Sequence, residues 1–231
     1  MAITLNPIEL RVLGVLIEKS LANPASYPMT LNAITAGSNQ KTNRDPVMSS
    51  TEGEVAAALH QLQQWQLVGQ SPPDRGSRAN RFNHDVEARF GWNAAQRAIM
   101  AELMLRGPQT LGELRGRASR MTHIESTDYA RELLEELRRA DPPAVVELPR
   151  QVGKSSTRWA RLFGGDLTSA TTAENGGGDG VIAAPTLRPD DPASKVPSVE
   201  ARLDALEQEV IALRLDLVRL GEKPDTREDH P

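Results

Sequence analysis

Residues 51–70 read Thr51-Glu52-Gly53-Glu54-Val55-Ala56-Ala57-Ala58-Leu59-His60-Gln61-Leu62-Gln63-Gln64-Trp65-Gln66-Leu67-Val68-Gly69-Gln70, and this stretch decides the fold. Thr51-x-x-Glu54 is a capping box: each side chain can satisfy a backbone N–H that the first turn of a helix leaves bare. Behind it Val55, Ala58, Leu59 and Leu62 recur at steps of three and four, one apolar stripe on a helix. Leu67-Val68-Gly69-Gln70, the turn-rich Pro72 to Ser77, and Arg78 to Asn83 then read as a β-hairpin.

Upstream, Asn6-Pro7 with Glu9 makes another capped start, followed by Ile8, Val12, Leu13, Leu16 and Ile17 at helical spacing. A loop holding Pro24 and Pro28 follows, and Thr30 opens a short helix with Leu31 and Ile34 inward. Downstream the same pattern returns. Asn93 with Gln96 caps a helix carrying Ile99, Leu103 and Met104, which Gly107-Pro108 ends. Thr110-x-x-Glu113 caps a short one with Leu111, Leu114 and Ala118. A third helix runs from Thr127 to Ala140, inward through Ala130, Leu133, Leu134 and Leu137. Val145–Leu148 and Arg158–Leu162 make the second hairpin. The expected fold class is mainly α with small β-hairpins: two tandem winged-helix (helix-turn-helix) domains, residues 1–90 and 91–163.

Residues 164–197 are rich in Gly, Ala, Pro, Thr and Asp, too poor in large apolar side chains to offset their ordering entropy, and read as a flexible linker. Residues 198–221 change character again. Val199, Leu203, Leu206, Val210, Leu213, Leu217 and Leu220 alternate in steps of four and three, an apolar heptad seam closed by Gly221 and Pro224. Such a helix pairs with a second copy, giving a homodimer through residues 199–220, or docks back on its own domains. Residues 222–231 are expected as a disordered tail.

Composition narrows the function classes. The chain has 231 residues, 39% of them apolar and only eight aromatic, so its cores rest on Leu, Val, Ile and Ala. It has no Cys, which removes disulfides, thiolate metal sites and Cys nucleophiles. The net charge of −4 belongs to residues 164–231, which carry 7 basic and 14 acidic side chains. No basic-then-apolar leader and no apolar run of spanning length is present, so the expectation is a soluble, cytoplasmic protein with no membrane partner.

Catalytic signals are thin. His60, His84, His123 and His230 lack partners at metal-ligand spacing and read as solvated surface residues. No nucleophile elbow, P-loop or dinucleotide-binding Gly pattern occurs, and Gly176 to Gly178 lie in the linker. The expectation is no enzyme, with no catalytic residues, no metal and no cofactor.

DNA is the first partner to weigh. Helix-turn-helix proteins read base edges from the third helix, yet here the outer face of the first is His60, Gln61, Gln63 and Gln64. The second opens with Asp128 and alternates Arg131, Arg138 and Arg139 with Glu132, Glu135 and Glu136. The cations lie elsewhere: Lys41 and Arg44 before the third helix, Arg75, Arg78 and Arg81 on the first hairpin, and Arg150, Lys154, Arg158 and Arg161 on the second. Hairpins and pre-helix loops are where such folds meet phosphate, while hairpin arginines also guard strand edges against aggregation. The block Ser38-Asn39-Gln40-Lys41-Thr42-Asn43-Arg44-Asp45-Pro46-Val47 has the same double reading. Asn39, Gln40 and Asn43 either tie the loop to backbone groups or join Lys41 and Arg44 in facing a polar partner. Trp65, Trp92 and Tyr27 read as packing residues.

Leu5 to Gly14, Tyr27 to Ala33, Asn39 to Met48 and Leu105 to Arg115 together resemble the YceH-like family of bacterial proteins. The resemblance covers about residues 3–163; it implies two tandem winged-helix domains and carries little about activity. Function is therefore expected as DNA binding through the hairpins and the 38–47 block. The alternative is a protein-interaction module, similar to the paired winged helices of chromosome-partition accessory proteins.

Overall fold

The computed structural model describes residues 3–72, 79–151 and 155–163, which lie within one compact unit. It is mainly helical with small antiparallel sheets, built from one element pattern used twice.

The first copy starts with α1 (Pro7–Ala22), whose Asn6 and Glu9 form the expected capping box. A 3-10 turn (Pro24–Ser26) leads to β1 (Met29–Thr30), α2 (Leu31–Ser38) and α3 (Glu52–Gln64). Thr30 caps α2 and Thr51 caps α3, the latter with Glu54 reaching back. The stripe Val55, Ala58, Leu59 and Leu62 is the buried face of α3, as its spacing requires. β2 (Val68–Ser71) and β3 (Arg81–His84) pair antiparallel, and β1 pairs with β3 on its other side, giving the order β1-β3-β2.

After α4 (Val86–Phe90) the second copy repeats this order: α5 (Ala94–Arg106), β4 (Gln109–Thr110), α6 (Leu111–Ala118), α7 (Thr127–Arg139), β5 (Val145–Leu148) and β6 (Arg158–Arg161). Its sheet order is β4-β6-β5. Asn93 with Gln96 and Thr110 with Glu113 form their capping boxes, and Gly107, at φ 75, supplies the left-handed turn that ends α5.

Helix α1 is buried along the whole run Glu9 to Ile17, and α5 from Ala98 to Leu105. A one-sided amphipathic pattern underestimates both helices, because each covers its own sheet and helices on one face and the other copy on the opposite face. At their contact a Cβ on Gly14 would come 3.0 Å from Leu105 Cγ, so glycine lets the two backbones approach. One apolar core runs through both copies. Phe90, Trp92 and Phe163 close it at the end of the second sheet, with Phe90 and Trp92 stacked 4.5 Å apart.

Candidate nucleic-acid interface

The 38–47 block is tied to the fold by its own side chains. Asn39 exchanges two bonds with Ser50, donating to its carbonyl at 2.7 Å and accepting from its N–H at 2.8 Å, which sets the chain on course for α3. Arg44 is 5% exposed. Its Nε donates to Gly37 O, Nη1 to Asn43 O and Glu18 Oε1, and Nη2 to Gln40 Oε1 and to Glu18 Oε2 at 2.7 Å. All five guanidinium N–H groups are spent inside the protein. Burial pushes the Glu18 carboxyl up, but the hydrogen bonds and charge of Arg44, with Lys19, hold it below the usual range.

Arg11 completes the anchor from α1. It is 2% exposed and donates to Ser38 O at 3.1 Å and Pro46 O at 2.7 Å. Burial, then the charge of Arg44, lowers its pKa to about 10. The block also reaches the second copy: Asp45 N donates to Leu105 O at 2.9 Å, and Arg106 donates to Asn43 Oδ1. Of the two uses open to the block, the structure realises the tying role for Asn39, Gln40, Asn43 and Arg44. Lys41 alone among these candidates is exposed with no such bond to the loop.

The hairpin arginines divide in the same way. Arg81 is half-buried and donates to Pro28 O at 2.9 Å. Arg161 donates to Leu103 O at 3.3 Å, and burial lowers its pKa. Arg44 and Arg161 thus serve buried carbonyls, which corrects their expected place on a phosphate-facing surface: a guanidinium is the side chain best able to satisfy several orphan acceptors at once. Arg75, Arg78 and Lys154, and the heptad residues Val199, Leu203, Leu206, Val210, Leu213, Leu217 and Leu220, lie outside the described residues.

What remains converges on the second copy. A cleft of about 540 Å³ opens between α6, the first half of α7 and the β5–β6 hairpin. Arg131 and Arg150 line it, with Gly112, Thr127 and Thr157 among its walls. A second cleft of about 240 Å³ lies beside it, sharing Thr110, Ser155 and Ser156, and holds Arg158 and Glu113. Burial pushes Glu113 up, but its bonds from Thr110 and the charges of Arg117 and Arg158 hold it below the usual carboxylate range. It is therefore ionised near neutrality and balances Arg158, whereas the described residues lining the larger cleft include two arginines and no carboxylate.

Sequence reasoning passed over Arg131 because Glu132, Glu135 and Glu136 surround it. Helical spacing carries part of the missing signal: Thr127, Arg131 and Glu135 follow at steps of four on one face, while Glu132 and Glu136 stand on others, and Glu135 is not among the described residues that line the cleft. Glu135 is engaged by Arg138 and Arg139, and Glu136 accepts from Gln96, so both acids have partners other than Arg131.

The expectation that all four histidines are solvated fails for His84, which packs beside Tyr27. Ser20 Oγ donates to Ile17 O at 2.8 Å and lies 2.8 Å from His84 Nε2. Its one proton being spent, it accepts from Nε2–H, while Nδ1 is buried without a partner. That polarity is opposite to a histidine activating a serine nucleophile. Burial, aided by the charge of Arg97, lowers the His84 pKa to about 4. Among the described residues there is no acidic or histidine cluster fit to hold a metal ion, and no helix long and apolar enough to cross a membrane.

Comparison with known proteins adds the lineage. A UPF0502 protein of Geobacter sulfurreducens is 43% identical over 213 residues, spanning 92% of this chain and 91% of that one. A UPF0502 protein of Mesorhizobium japonicum is 43% identical over 217 residues, 94% of this chain and 96% of its own. The family model described as "Protein of unknown function, DUF480" matches residues 5–154, which take in α1 through β5 and so nearly all of both copies, and the chain belongs to that family.

Proposed function

We propose that each copy is a winged-helix domain, with α3 and α7 as third helices and the β2–β3 and β5–β6 hairpins as wings. On this reading the protein is a non-enzymatic DNA-binding regulator that touches the duplex backbone from its second copy. The observation that carries the reading is the cleft between α7 and its hairpin, where Arg131 and Arg150 line a concave wall with no carboxylate among its described residues. Exposed guanidinium groups at a helix–hairpin junction suit phosphate oxygens, whereas Arg158 in the neighbouring cleft is balanced by Glu113. The affinity of duplex DNA for the full chain, measured at two salt concentrations, tests it. Backbone contact releases counterions, so affinity must fall steeply as salt rises. Absent or salt-independent binding rejects the reading.

A heptad helix that pairs two chains would double the contact and raise avidity. Deleting residues 198–231 and measuring the mass in solution tests that arm; an unchanged mass removes it.

A protein-interaction module is the second reading, and one observation favours it. The outer face of α3 carries no Lys or Arg, and nearby Val47, at 56%, is the one large apolar residue that is exposed among the described residues. A stoichiometric protein partner that co-purifies without DNA would decide for it.

A further inference from the structure

The two copies can be compared position by position, because α3 and α7 both have 13 residues and α2 and α6 both have 8. Thr127 and Arg131 in the second copy then correspond to Glu52 and Ala56 in the first, and Gly112 corresponds to Asn32. The substitutions fall on the walls of the arginine-lined cleft. In the first copy Asn32 Nδ2 donates to Glu52 Oε1 at 3.1 Å, so a side-chain carboxylate bridges α2 and α3 at the position where the second copy has its opening. In the second copy neither partner of that bridge exists. Gly112 has no side chain, a Cβ there would meet no atom within 4 Å, and Thr127 is short.

Charge follows the same division. The first copy has Ala56 where the second has Arg131, and its Glu54 is folded back onto Thr51 N and Oγ1 at 2.8 and 2.9 Å. It therefore supplies this end of α3 with two carboxylates and no cation from the helix. The second copy has Tyr129 in place of Glu54 and adds Arg131 and Arg150. Asp128, its one first-turn acid, is not among the residues lining the cleft.

We infer that the two copies have divided their work: the second seats a backbone phosphate of duplex DNA in the cleft of Arg131 and Arg150, and the first has closed the matching seat with its own Glu52. This rests on the DNA-binding reading above, which already takes the second copy's cleft as the contact, and adds that the first copy's matching seat is closed and unused. The first copy's contribution is mechanical, through the 38–47 block that grips α5.

The test uses the full chain and a short labelled DNA duplex at two salt concentrations. Arg131→Ala removes a cation, and the pair Gly112→Asn with Thr127→Glu rebuilds the first copy's bridge in the second. Arg131 is exposed and Gly112 faces open space, so thermal melting should stay at the wild-type value for both. Each change should weaken binding roughly tenfold to a hundredfold, the range of a charge-assisted hydrogen bond. Arg131→Ala should also lower the slope of log affinity against log salt by about one. Ala56→Glu, the matching position in the first copy, should leave affinity within about twofold because that seat is unused and an exposed charge there is screened. Salt-dependent wild-type binding that survives both second-copy changes overturns the inference together with the cleft as the contact. An Ala56→Glu change that weakens binding as much as Arg131→Ala does overturns the division of work and leaves the second-copy reading standing. No salt-dependent binding by the wild type removes both.

Discussion

Replacing Arg44 by Ala separates a residue that holds the fold from one that holds a ligand. In the structure its side chain is 0% exposed and that of Glu18 13%, with the two joined at 2.7 Å. Removing the guanidinium leaves a largely buried carboxylate without its cation and takes the donors from Gly37 O and Asn43 O. Breaking one partner of a buried pair costs about 3–5 kcal/mol. For a cooperative unit of this size each kcal/mol lowers the melting temperature by about 2–4 °C, so the expected fall is roughly 6–20 °C. The assay is thermal or urea unfolding at neutral pH, followed by circular dichroism.

Two companion variants make the reasoning sharper. Glu18→Gln with Arg44→Ala removes both charges, so it should lose less than the sum of the single changes, with a coupling of about 1–3 kcal/mol. Arg44→Lys keeps the charge, but a lysine cannot span Gly37 O, Gln40 and both oxygens of Glu18 together, so about half the loss should remain. A melting temperature for Arg44→Ala within 2 °C of the wild type, on the scale of roughly 1 kcal/mol, would refute the anchoring role. If DNA binding vanished at the same time, Arg44 would belong with the ligand after all.

The remaining predictions come from other parts of the fold. A Cβ on Gly37 would sit 2.8 Å from Val15 Cγ1, a stiff side chain between α1 and α2, so Gly37→Ala should destabilise by about 1–3 kcal/mol despite alanine's better helix propensity. His84 titrates at about 4 when folded against about 6.5 when unfolded. The unfolded chain therefore takes the proton first, and the contribution of neutral His84, full above pH 6.5, is lost as pH falls toward 4. The loss is on the order of 3 kcal/mol, and His84→Gln should remove that part of the pH slope in urea unfolding measured from pH 7 to 4.5. A slope identical in wild type and variant would show that His84 is not buried as a neutral ring.

Most of the architecture was legible because it is written in local chemistry. Four capping boxes, at Asn6, Thr51, Asn93 and Thr110, mark helix starts by residues three apart, and all four form. The strands β1 and β4 left no such trace. Each is two residues long, and each exists because a distant strand supplies its partner: Met29 opposite Phe82, and Gln109 opposite Trp159. The second buried faces of α1 and α5 were hidden for the same reason, since the two helices pack on each other, with Gly14 against Met104 and Leu105 of the other copy.

The candidate site was harder to read, and the reason is specific to charged residues. A guanidinium in a loop looks alike in sequence whether it satisfies buried carbonyls or waits for a phosphate, and the difference lies in what the chain folds around it. Arg44 and Arg161 drew attention because they stand in polar or β surroundings, and both prove to serve the interior. Arg131 was discounted because acids follow it in the chain, yet Glu135 is paired with Arg138 and Arg139, Glu136 accepts from Gln96, and none of the acids is among the described residues lining the cleft. Charge counted along the sequence therefore misassigns both cases, and the second is recovered only by the ion pairs that the folded helix makes. The first needs one further consideration: α2 is followed by a turn whose carbonyls, Ser38 and Pro46 among them, have no strand or helix to receive them. The buried carbonyls at the base of that turn require fixed donors, and Arg11 and Arg44 supply them.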